Sequence, residues 1–493
     1  MHYRHFLTHY TPAILSALLV YSAFPPLNLW GMMAIALIPF IWGLKKLYSL
    51  KSHLLYFFLF GIIYMGLMHI WLLELKPYSS GIGISSLVII YTIFLSLYYV
   101  ATGALYYISG RHLWTLPFCW IIGEWLRSIT IVGNPTGSLC YSQSYNPIIL
   151  QWTGIIGPFG VSFIIIGLSC LLYNCLLYKR LLTKKYRTYY GLSLLFIVSI
   201  GLWQLNTPLP TTTHHTAAII QGNHAQSTKL DRKQWPAIIK TYLRLTEETL
   251  QKTPTQFVIW PETIIPALNL KNKQLLNQIQ YLSHHYKTNI IFGTPSKLNQ
   301  KYLNTLAIMT PTGLHTQQYH KIRLMPFGEY WPGKSILQQL GLGQLLPGAE
   351  YSSGPPRQKA LHIDNTIIGT GLCLESIYPW FYQKMKSQNT QFMLTLANNA
   401  WFGNSSGAEK HFQMSLFRSV ENQSYFIQAA NTGISAIISP KGIPIKQSKL
   451  NTQDTLTSTI YDSASKSIYN TIGDIIVYIG FLVILVMMTP IIK

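Results

Sequence analysis

Long apolar stretches separated by short polar loops dominate the first two hundred residues of this 493-residue chain. A helix of about 17–25 apolar residues is long enough to cross a lipid bilayer. Seven such stretches precede residue 206 and an eighth closes the chain, at about 9–28, 29–47, 53–73, 83–109, 113–131, 152–178, 187–205 and 474–492. The pattern predicts a polytopic α-helical membrane domain with eight transmembrane helices.

Between the seventh and eighth stretches, residues 206–473 alternate short apolar runs with amphipathic segments. Strands are predicted at 217–221, 256–260, 289–292, 303–309, 366–372, 392–397, 426–430 and 435–439, and helices at 233–251, 271–286 and 408–422. Strands separated by helices are typical of an α/β fold with covered sheets. We therefore expect a transmembrane domain (1–205), an inserted α/β domain (206–473) and a C-terminal transmembrane helix (474–493).

The distribution of Lys and Arg over the short loops predicts the orientation in the membrane, since cytoplasmic loops carry an excess of both. One set of alternate loops holds only Lys76. The other set holds eleven basic residues: Arg4, Lys45, Lys46, Lys51, Arg111, Lys179, Arg180, Lys184, Lys185, Arg187 and Lys493. Both termini are therefore predicted to be cytoplasmic, and the insert to lie on the outer face of the membrane.

Composition supports a membrane protein and argues against a nucleic-acid partner. Charged residues make up 11% of the chain, against about 25% in soluble domains. The 32 Tyr and 13 Trp match the aromatic belts of membrane interfaces. The net charge of +22 comes from Lys and Arg that mostly flank the apolar stretches or lie scattered through 206–473 without a dense run there, so an anionic lipid surface is the expected partner rather than nucleic acid.

The five cysteines and fifteen histidines predict neither a disulfide framework nor a metal site. Four of the cysteines lie in or beside apolar stretches, and no Cys-x-x-Cys pair occurs. The histidines show no ligand spacing. Cys373 alone lies in the polar insert, where a single thiol is a candidate for reactivity. We expect no metal and no other cofactor.

Three strand ends in the insert carry unusual polar residues. Glu262 follows the run Phe-Val-Ile-Trp-Pro, Lys321 follows Tyr-His, and Cys373 follows Ile-Ile-Gly-Thr-Gly-Leu. Each has a simpler explanation: a solvent-facing carboxylate, an ordinary basic strand end, or a buried structural cysteine. Together they form a coherent nucleophilic set, since an ammonium favours the reactive thiolate and a carboxylate can accept the thiol proton.

The order Glu, Lys, Cys at three strand ends resembles the nitrilase superfamily, and further motifs resemble its apolipoprotein N-acyltransferase family. The resemblance covers essentially the whole chain. It rests on Phe24-Pro25-Pro26, Glu124-Trp125-Leu126-Arg127, Gly133-Asn134-Pro135, Tyr141-Ser142-Gln143, Pro326-Phe327-Gly328-Glu329, Asn398-Asn399-Ala400-Trp401-Phe402-Gly403, His411-Phe412-Gln413-Met414 with Arg418, and Asn431-Thr432-Gly433-Ile434-Ser435-Ala436.

The resemblance implies a nitrilase-like αββα sandwich in the insert, with Glu262 as general base, Lys321 as electrostatic stabiliser and Cys373 as nucleophile. It implies transfer of an acyl chain from a membrane phospholipid to the N-terminal amine of a diacylated apolipoprotein, through a thioester, at the outer face of the bacterial inner membrane. Residues that match supporting positions of the family are Glu329, Glu375 and Asn304.

Aromatic residues of the insert are candidates for substrate binding. Trp401 and Phe402 are expected to dip into the bilayer or to line a lipid groove, with ordinary packing as the alternative. Leu230 stands where the family carries a tryptophan, and Trp235 follows a few residues on. Two further departures are Leu374, where the family has Tyr, and Asn399, where it has Asp.

Two rival functions and one unexplained pair stay open at this point. The same three residues would serve an amidase, in which water resolves the thioester, and a degenerate domain would only bind lipoproteins. Glu124 and Arg127 lie three residues apart within a predicted span. Charges inside a membrane are costly and are functional candidates, but a pair on one helix face can also simply lock helices together.

Overall fold

The structure is a computed structural model that describes residues 2–78, 81–177, 180–209, 213–267, 269–326, 328–331, 334–339, 350–463 and 466–492. The chain divides into two compact units. The helical unit comprises Met1–Pro208, Asn404–Glu421 and Ser467–Lys493, and the sheet unit comprises Leu209–Gly403 and Asn422–Lys466.

The α-helices of the helical unit are, within its described residues, α1 (His2–Ser22), α2 (Ile38–Leu44), α3 (Leu50–His69), α4 (Gly81–Ile108), α5 (Leu116–Ile129), α6 (Pro147–Leu150), α7 (Thr153–Leu177), α8 (Arg180–Asn206), α14 (Gly407–Glu421), α15 (Ile468–Ile472) and α16 (Ile475–Ile492). Within the described residues, four helices are long and apolar enough to cross a membrane: Leu50–Tyr78, Gly83–Ile108, Thr153–Leu176 and Lys184–Asn206. Trp30–Leu44 and Ile475–Met488 are shorter apolar helices.

Helix α8 shows the surface expected of a lipid-facing helix. Leu192, Leu195, Phe196 and Trp203 are all exposed on it. A patch of large apolar side chains of this kind is unusual on a soluble protein and marks an interaction surface or a membrane contact.

Glu124 and Arg127, the two charged residues within α5, are buried and bind the loop that follows their own helix. Glu124 accepts a hydrogen bond from the N–H of Leu139 at 2.8 Å. Arg127 donates to the carbonyl of Thr136 at 3.1 Å and to the hydroxyl of Ser138 at 3.2 Å. Among the described residues no ion pair joins Glu124 to Arg127. Both side chains therefore hold the loop in place through hydrogen bonds.

Helix α14 lies in the middle of the sequence of the insert but clusters with the helical unit. Every residue of Gly407–Glu421 except the partly exposed Glu409 is buried. Arg418 binds Glu421 at 2.7 Å and donates to the hydroxyl of Tyr141 at 3.0 Å. At Gly154, a Cβ would lie 3.1 Å from the carbonyl oxygen of Val420, so α7 and α14 approach each other closely.

Within its described residues, the sheet unit holds thirteen strands: β1 (His214–Gln221), β2 (Phe257–Ile259), β3 (Asn289–Leu298), β4 (Lys301–Thr310), β5 (Gly313–Leu314), β6 (Tyr319–His320), β7 (Leu361–Ile363), β8 (Thr366–Leu372), β9 (Phe392–Ala397), β10 (Phe426–Ala430), β11 (Ala436–Ile438), β12 (Pro444–Gln447) and β13 (Asp454–Tyr461). Its helices are α9 (Gln226–Leu230), α10 (Trp235–Lys252), α11 (Lys273–Tyr286), α12 (Lys334–Gln339) and α13 (Pro379–Lys386).

The strands form two sheets, each with three parallel strands at its centre. One sheet runs β13-β1-β2-β3-β4-β5, with β6 paired to β4, and the other runs β12-β11-β10-β9-β8-β7. The triplets β1-β2-β3 and β8-β9-β10 are parallel. Because parallel neighbours need a crossover, helices occupy the connections between these strands. The carboxyl ends of the parallel strands within each triplet therefore lie at one edge of that sheet.

The two sheets pack face to face and helices cover their outer faces. Phe257 of the first sheet meets Phe392 of the second with ring centroids 5.5 Å apart. The apolar faces of α10 and α11 bury Trp260 and Phe292 on the outer side of the first sheet. Helix α13 packs on β8 of the second sheet. The resulting layers are helix, sheet, sheet, helix, as the resemblance implied.

Candidate active site

Glu262 lies at the carboxyl end of β2, where the fully buried strand stops at Pro261. Proline has no N–H for the ladder, so the chain leaves the sheet at this point. Glu262 as a whole residue is 4% exposed. A Cβ on Gly293 of β3 would lie 2.6 Å from the Glu262 Cα, so the neighbouring strand holds this backbone tightly. The alternative of a solvent-facing carboxylate is therefore wrong.

The Glu262 carboxylate is surrounded by hydrogen-bond donors. Its Oε1 accepts from Lys321 Nζ at 2.9 Å and from Asn304 Nδ2 at 2.7 Å, and its Oε2 accepts from the Asn398 N–H at 2.9 Å. Burial raises the pKa of Glu262, but the Lys321 ammonium and hydrogen bonds from Lys321, Asn304 and Cys373 outweigh it, so that the pKa lies below its ordinary value. Glu262 is thus ionised at neutral pH and able to accept a proton.

Lys321 follows β6 and is 2% exposed. Its Nζ lies 2.9 Å from Glu262 and 2.9 Å from Glu329, and its N–H donates to the Asn304 carbonyl at 2.8 Å. Burial lowers the pKa of Lys321, but Glu262 and Glu329 outweigh it and hold the pKa well above its ordinary value. Lys321 is therefore a permanent cation held between Glu262 and Glu329.

Cys373 lies at the point where β8 ends and the short 3-10 helix Cys373–Ile377 begins. Its φ is +48°, a left-handed conformation that costs a non-glycine residue about 1–3 kcal/mol. Taken as a whole residue, Cys373 is partly exposed, and its thiol hydrogen-bonds to Glu262. The strand end thus holds the sulfur beside the carboxylate at a strained turn, and the alternative of an inert, buried structural cysteine does not fit this placement.

The environment of Cys373 keeps its thiol protonated at rest. Burial and the carboxylate of Glu262 both raise the pKa of Cys373, and the Lys321 ammonium opposes them without cancelling them. The Lys321 ammonium thus favours the thiolate, but not enough to outweigh burial and Glu262. The site pairs a neutral thiol with an ionised base, so the proton must move when the sulfur attacks.

Asn304 and Glu375 hold the reacting side chains in place. Asn304 Nδ2 donates to Glu329 at 2.8 Å as well as to Glu262. Glu375 is fully buried; it accepts from the N–H groups of Ile322 and Arg323 after Lys321, at 2.7 and 3.0 Å, and from the N–H of Leu372 before Cys373, at 2.7 Å. Burial raises the pKa of Glu375 to about 7. One carboxylate therefore fastens the lysine segment to the cysteine segment.

The three aromatic candidates for substrate binding all lie in the sheet unit. Trp235 packs against the core under α10, and its Nε1 donates to the carbonyl of Lys229 at 2.9 Å. Trp401 and Phe402 end the 3-10 helix Asn399–Phe402, just after Asn398, and both are partly exposed. Their roles in substrate binding stay predictions.

Sequence reasoning missed how two residues contribute to the site. Asn398 was named only as part of a family motif; it acts through its backbone N–H, which any residue type supplies, so its residue type carries no signal of this role. Lys229 is buried and interacts electrostatically with Glu262 and Cys373. A lysine among polar residues predicts an exposed side chain, so the burial of Lys229 beside the site was not predicted. Within the described ranges no group of three or more His, Cys, Asp and Glu is arranged to hold a metal ion.

Comparison with known proteins identifies both parts of the chain. Residues 216–468 match the carbon-nitrogen hydrolase family, and residues 16–171 match the apolipoprotein N-acyltransferase N-terminal domain.

Curated relatives match over nearly the whole length. The apolipoprotein N-acyltransferase of Geobacter metallireducens is 27% identical over 94% of this chain and 92% of its own. That of Haemophilus ducreyi is 28% identical over 92% and 91%, and that of Wigglesworthia glossinidia brevipalpis is 31% identical over 66% and 64%. A buried Glu–Lys–Cys site on a nitrilase-like unit joined to apolar helices agrees with these matches. The chain therefore belongs to the carbon-nitrogen hydrolase family and, within it, to the membrane-associated apolipoprotein N-acyltransferases, and it is an acyltransferase.

Proposed function

We propose that this enzyme transfers an acyl chain from a membrane phospholipid to the free α-amine of a diacylglyceryl-cysteine apolipoprotein, through a thioester on Cys373. The observation that carries the proposal is the arrangement around Glu262, whose carboxylate accepts hydrogen bonds from both the Lys321 ammonium and the Cys373 thiol. Base, cation and nucleophile thus meet at one carboxyl group. The names of the relatives supply the acceptor class.

In the first half of the reaction, Cys373 attacks the carbonyl carbon of a phospholipid ester. Because the thiol is neutral at rest, Glu262 takes its proton as the C–S bond forms. Lys321 stabilises the negative charge that develops on the carbonyl oxygen, with the N–H of Leu374 as a second donor. When the C–O bond breaks, Glu262 returns the proton to the alkoxide. A lysophospholipid leaves and the acyl chain stays on sulfur as a thioester.

In the second half, the amine of the apolipoprotein attacks the same carbonyl carbon. The C–N bond forms, the C–S bond breaks, and Glu262 passes a proton from nitrogen to the Cys373 sulfur. The thioester retains the reactivity of the acyl group, so the transfer needs no nucleotide. Covalent catalysis of this kind predicts ping-pong kinetics, with each product released before the next substrate binds.

The membrane placement that suits this chemistry has eight spans, cytoplasmic termini and the sheet unit on the outer face of the bacterial inner membrane. Both substrates carry acyl chains anchored in the bilayer. Moving each CH₂ of an acyl chain into water costs about 0.8 kcal/mol. A site carried by membrane helices at the level of the headgroups avoids most of that cost, which explains why a nitrilase-like unit is built between transmembrane segments.

The direct test uses the purified full-length enzyme in phospholipid micelles. Incubation with phospholipid alone should add one acyl mass to Cys373, located by mass spectrometry of the peptide. Addition of a diacylated lipopeptide with a free N-terminal amine should move that mass to the amine. Buried cysteines elsewhere in the chain serve as internal controls for adventitious acylation: Cys119, Cys140, Cys170 and Cys175.

The variant Cys373→Ala should abolish both mass gains. A wild-type enzyme that never acquires an acyl mass on Cys373 contradicts the mechanism. An enzyme that forms the thioester but loses it to water at the same rate with and without lipopeptide is a hydrolase, and the proposed transfer is then wrong.

A further inference from the structure

A second lysine is buried beside the site, and its surroundings differ from those of Lys321. Lys229 lies on the short helix α9 and is 1% exposed. Among the residues that the structure describes, its Nζ has no hydrogen-bond partner. Lys321, by contrast, has two carboxylate oxygens within 2.9 Å. The site thus contains one fully paired amine and one unpaired amine.

Helix α9 is attached to the catalytic groups through Asn398. The side chain of Asn398 donates to Gln226 Oε1 on α9 at 3.1 Å, while its N–H donates to Glu262. The Trp235 indole fixes the other end of the helix by binding the Lys229 carbonyl at 2.9 Å. Helix α9 is therefore held at both ends, and the buried Lys229 side chain interacts electrostatically with Glu262 and Cys373.

The titratable groups that face Lys229 are Glu262 at the end of β2, Cys373 at the end of β8, and His224 in the segment before α9. A buried ammonium without a hydrogen-bonded partner is unfavourable, so burial lowers the pKa of Lys229 to about 7, against the opposing influence of Glu262 and Cys373. At neutral pH a large fraction of Lys229 is a free amine with an available lone pair.

The second half-reaction produces a proton that Glu262 cannot take. An N-terminal α-amine has a pKa of about 7.7–8.0, so the acceptor arrives largely as an ammonium ion. Conversion of that ammonium into an amide releases two protons. Glu262 carries one of them from nitrogen to the Cys373 sulfur, and the other must be removed before attack, because an ammonium has no lone pair.

We propose that Lys229 is the base that takes this first proton from the acceptor's α-ammonium. The amine then attacks the thioester, the C–N bond forms and the C–S bond breaks, and Glu262 returns the second proton to sulfur. Lys229 loses its proton to water after the product leaves. The proposal rests on the proposed function and assigns to Lys229 a step in the second half-reaction only.

The test separates the two half-reactions by mass spectrometry of the full-length enzyme. Lys229→Met should form the acyl-enzyme at close to the wild-type rate. Its transfer to a diacylated lipopeptide should be slowed by about tenfold or more at pH 6.5 and by less than about threefold at pH 8.5, where the acceptor amine is already neutral. Transfer to hydroxylamine, which is mostly neutral at pH 6.5, should be nearly unaffected. The matched control is Lys233→Met, the same change at an exposed position in the next turn.

Lys229→Arg distinguishes a base from a fixed positive charge, because arginine keeps its proton. It should show the defect of the Met variant; rescue at pH 6.5 would overturn the proposal. The proposal would also be overturned if Lys229→Met transferred the acyl chain at the wild-type rate at pH 6.5. It would likewise be overturned if that variant failed to form the acyl-enzyme, because Lys229 would then act in the first half-reaction or in folding. Failure of the wild-type enzyme to acylate Cys373 would instead refute the proposed function itself.

Discussion

Substitution of Gly293 by Ala tests how closely catalysis depends on the backbone position of Glu262. The new Cβ would lie 2.6 Å from the Glu262 Cα, 2.6 Å from the Thr263 nitrogen and 2.9 Å from the Pro261 carbonyl oxygen. All three are backbone atoms, so the clash cannot be relieved by rotation of a flexible side chain. The Gly293 N–H also binds the Pro261 carbonyl at 3.2 Å, which ties the two segments together.

The size of the effect follows from these distances. Ordinary contacts of a Cβ begin at about 3.4 Å, so the turn at Glu262 must move by roughly 0.5–0.8 Å. Overpacking of this kind costs about 1–3 kcal/mol of stability. A displacement of about 1 Å at a reacting group costs on the order of 100-fold in rate. We expect acylation of Cys373 to fall by about 10- to 100-fold, while the enzyme stays folded.

The assay is single-turnover acylation of Cys373 by phospholipid, followed by mass spectrometry. Gly369→Ala in β8 is the matched control, because its new Cβ would first meet the flexible Met393 Cγ, at 3.1 Å. That control should keep its rate within a few-fold of the wild type. A Gly293→Ala enzyme that acylates at the wild-type rate would show that the position of Glu262 does not limit the reaction.

Three further substitutions test the electrostatics and the packing. Glu262→Gln removes a carboxylate that raises the pKa of Cys373, so alkylation of the thiol should begin at lower pH although acyl transfer is lost; an unchanged or higher alkylation pH would contradict this sign. Asn304→Leu removes hydrogen bonds to two carboxylates, each worth about 1.5–3 kcal/mol, and should slow acylation by about tenfold or more with little loss of membrane extraction yield. Arg418→Met leaves the buried Glu421 unpaired and should lower the free energy of unfolding in detergent by about 3–5 kcal/mol. Adding Glu421→Leu to this variant should restore much of the melting temperature. A double variant as unstable as the single one would argue against the importance of the pair.

Strands with continuous apolar runs were predicted well from the sequence, and polar edge strands were missed. The predicted strands at 366–372, 392–397 and 426–430 coincide with β8, β9 and β10. These strands are buried on both faces, and such strands read as unbroken hydrophobic segments. Strand β13, Asp454–Tyr461, escaped prediction because it lies at the edge of its sheet and is rich in Thr and Ser. Whether a strand lies at the edge of a sheet depends on the whole topology, and a local sequence pattern does not reveal that topology.

The residues of the site were likewise predictable only in part from the sequence. The positions of Glu262 and Cys373 at strand ends follow from apolar runs that stop abruptly, so the sequence could place both. The protonation state of Cys373 could not be predicted, since it depends on how much water the fold excludes and on the distance to Glu262. The burial of Lys229 is a tertiary effect of the same kind, because its own helix is only five residues long.

Helix α14 has a consequence for how the enzyme is made. The chain leaves the sheet unit after Gly403, contributes Asn404–Glu421 to the helical unit, and returns at Asn422 to complete β10. The sheet unit therefore cannot complete its folding until this segment has packed against helices that were synthesised earlier. Biogenesis should run in a fixed order, with α14 packed against the helices that precede it in the chain before the sheet unit matures. Transfer of the sheet unit to an unrelated membrane anchor should fail unless α14 and its helical neighbours are transferred with it.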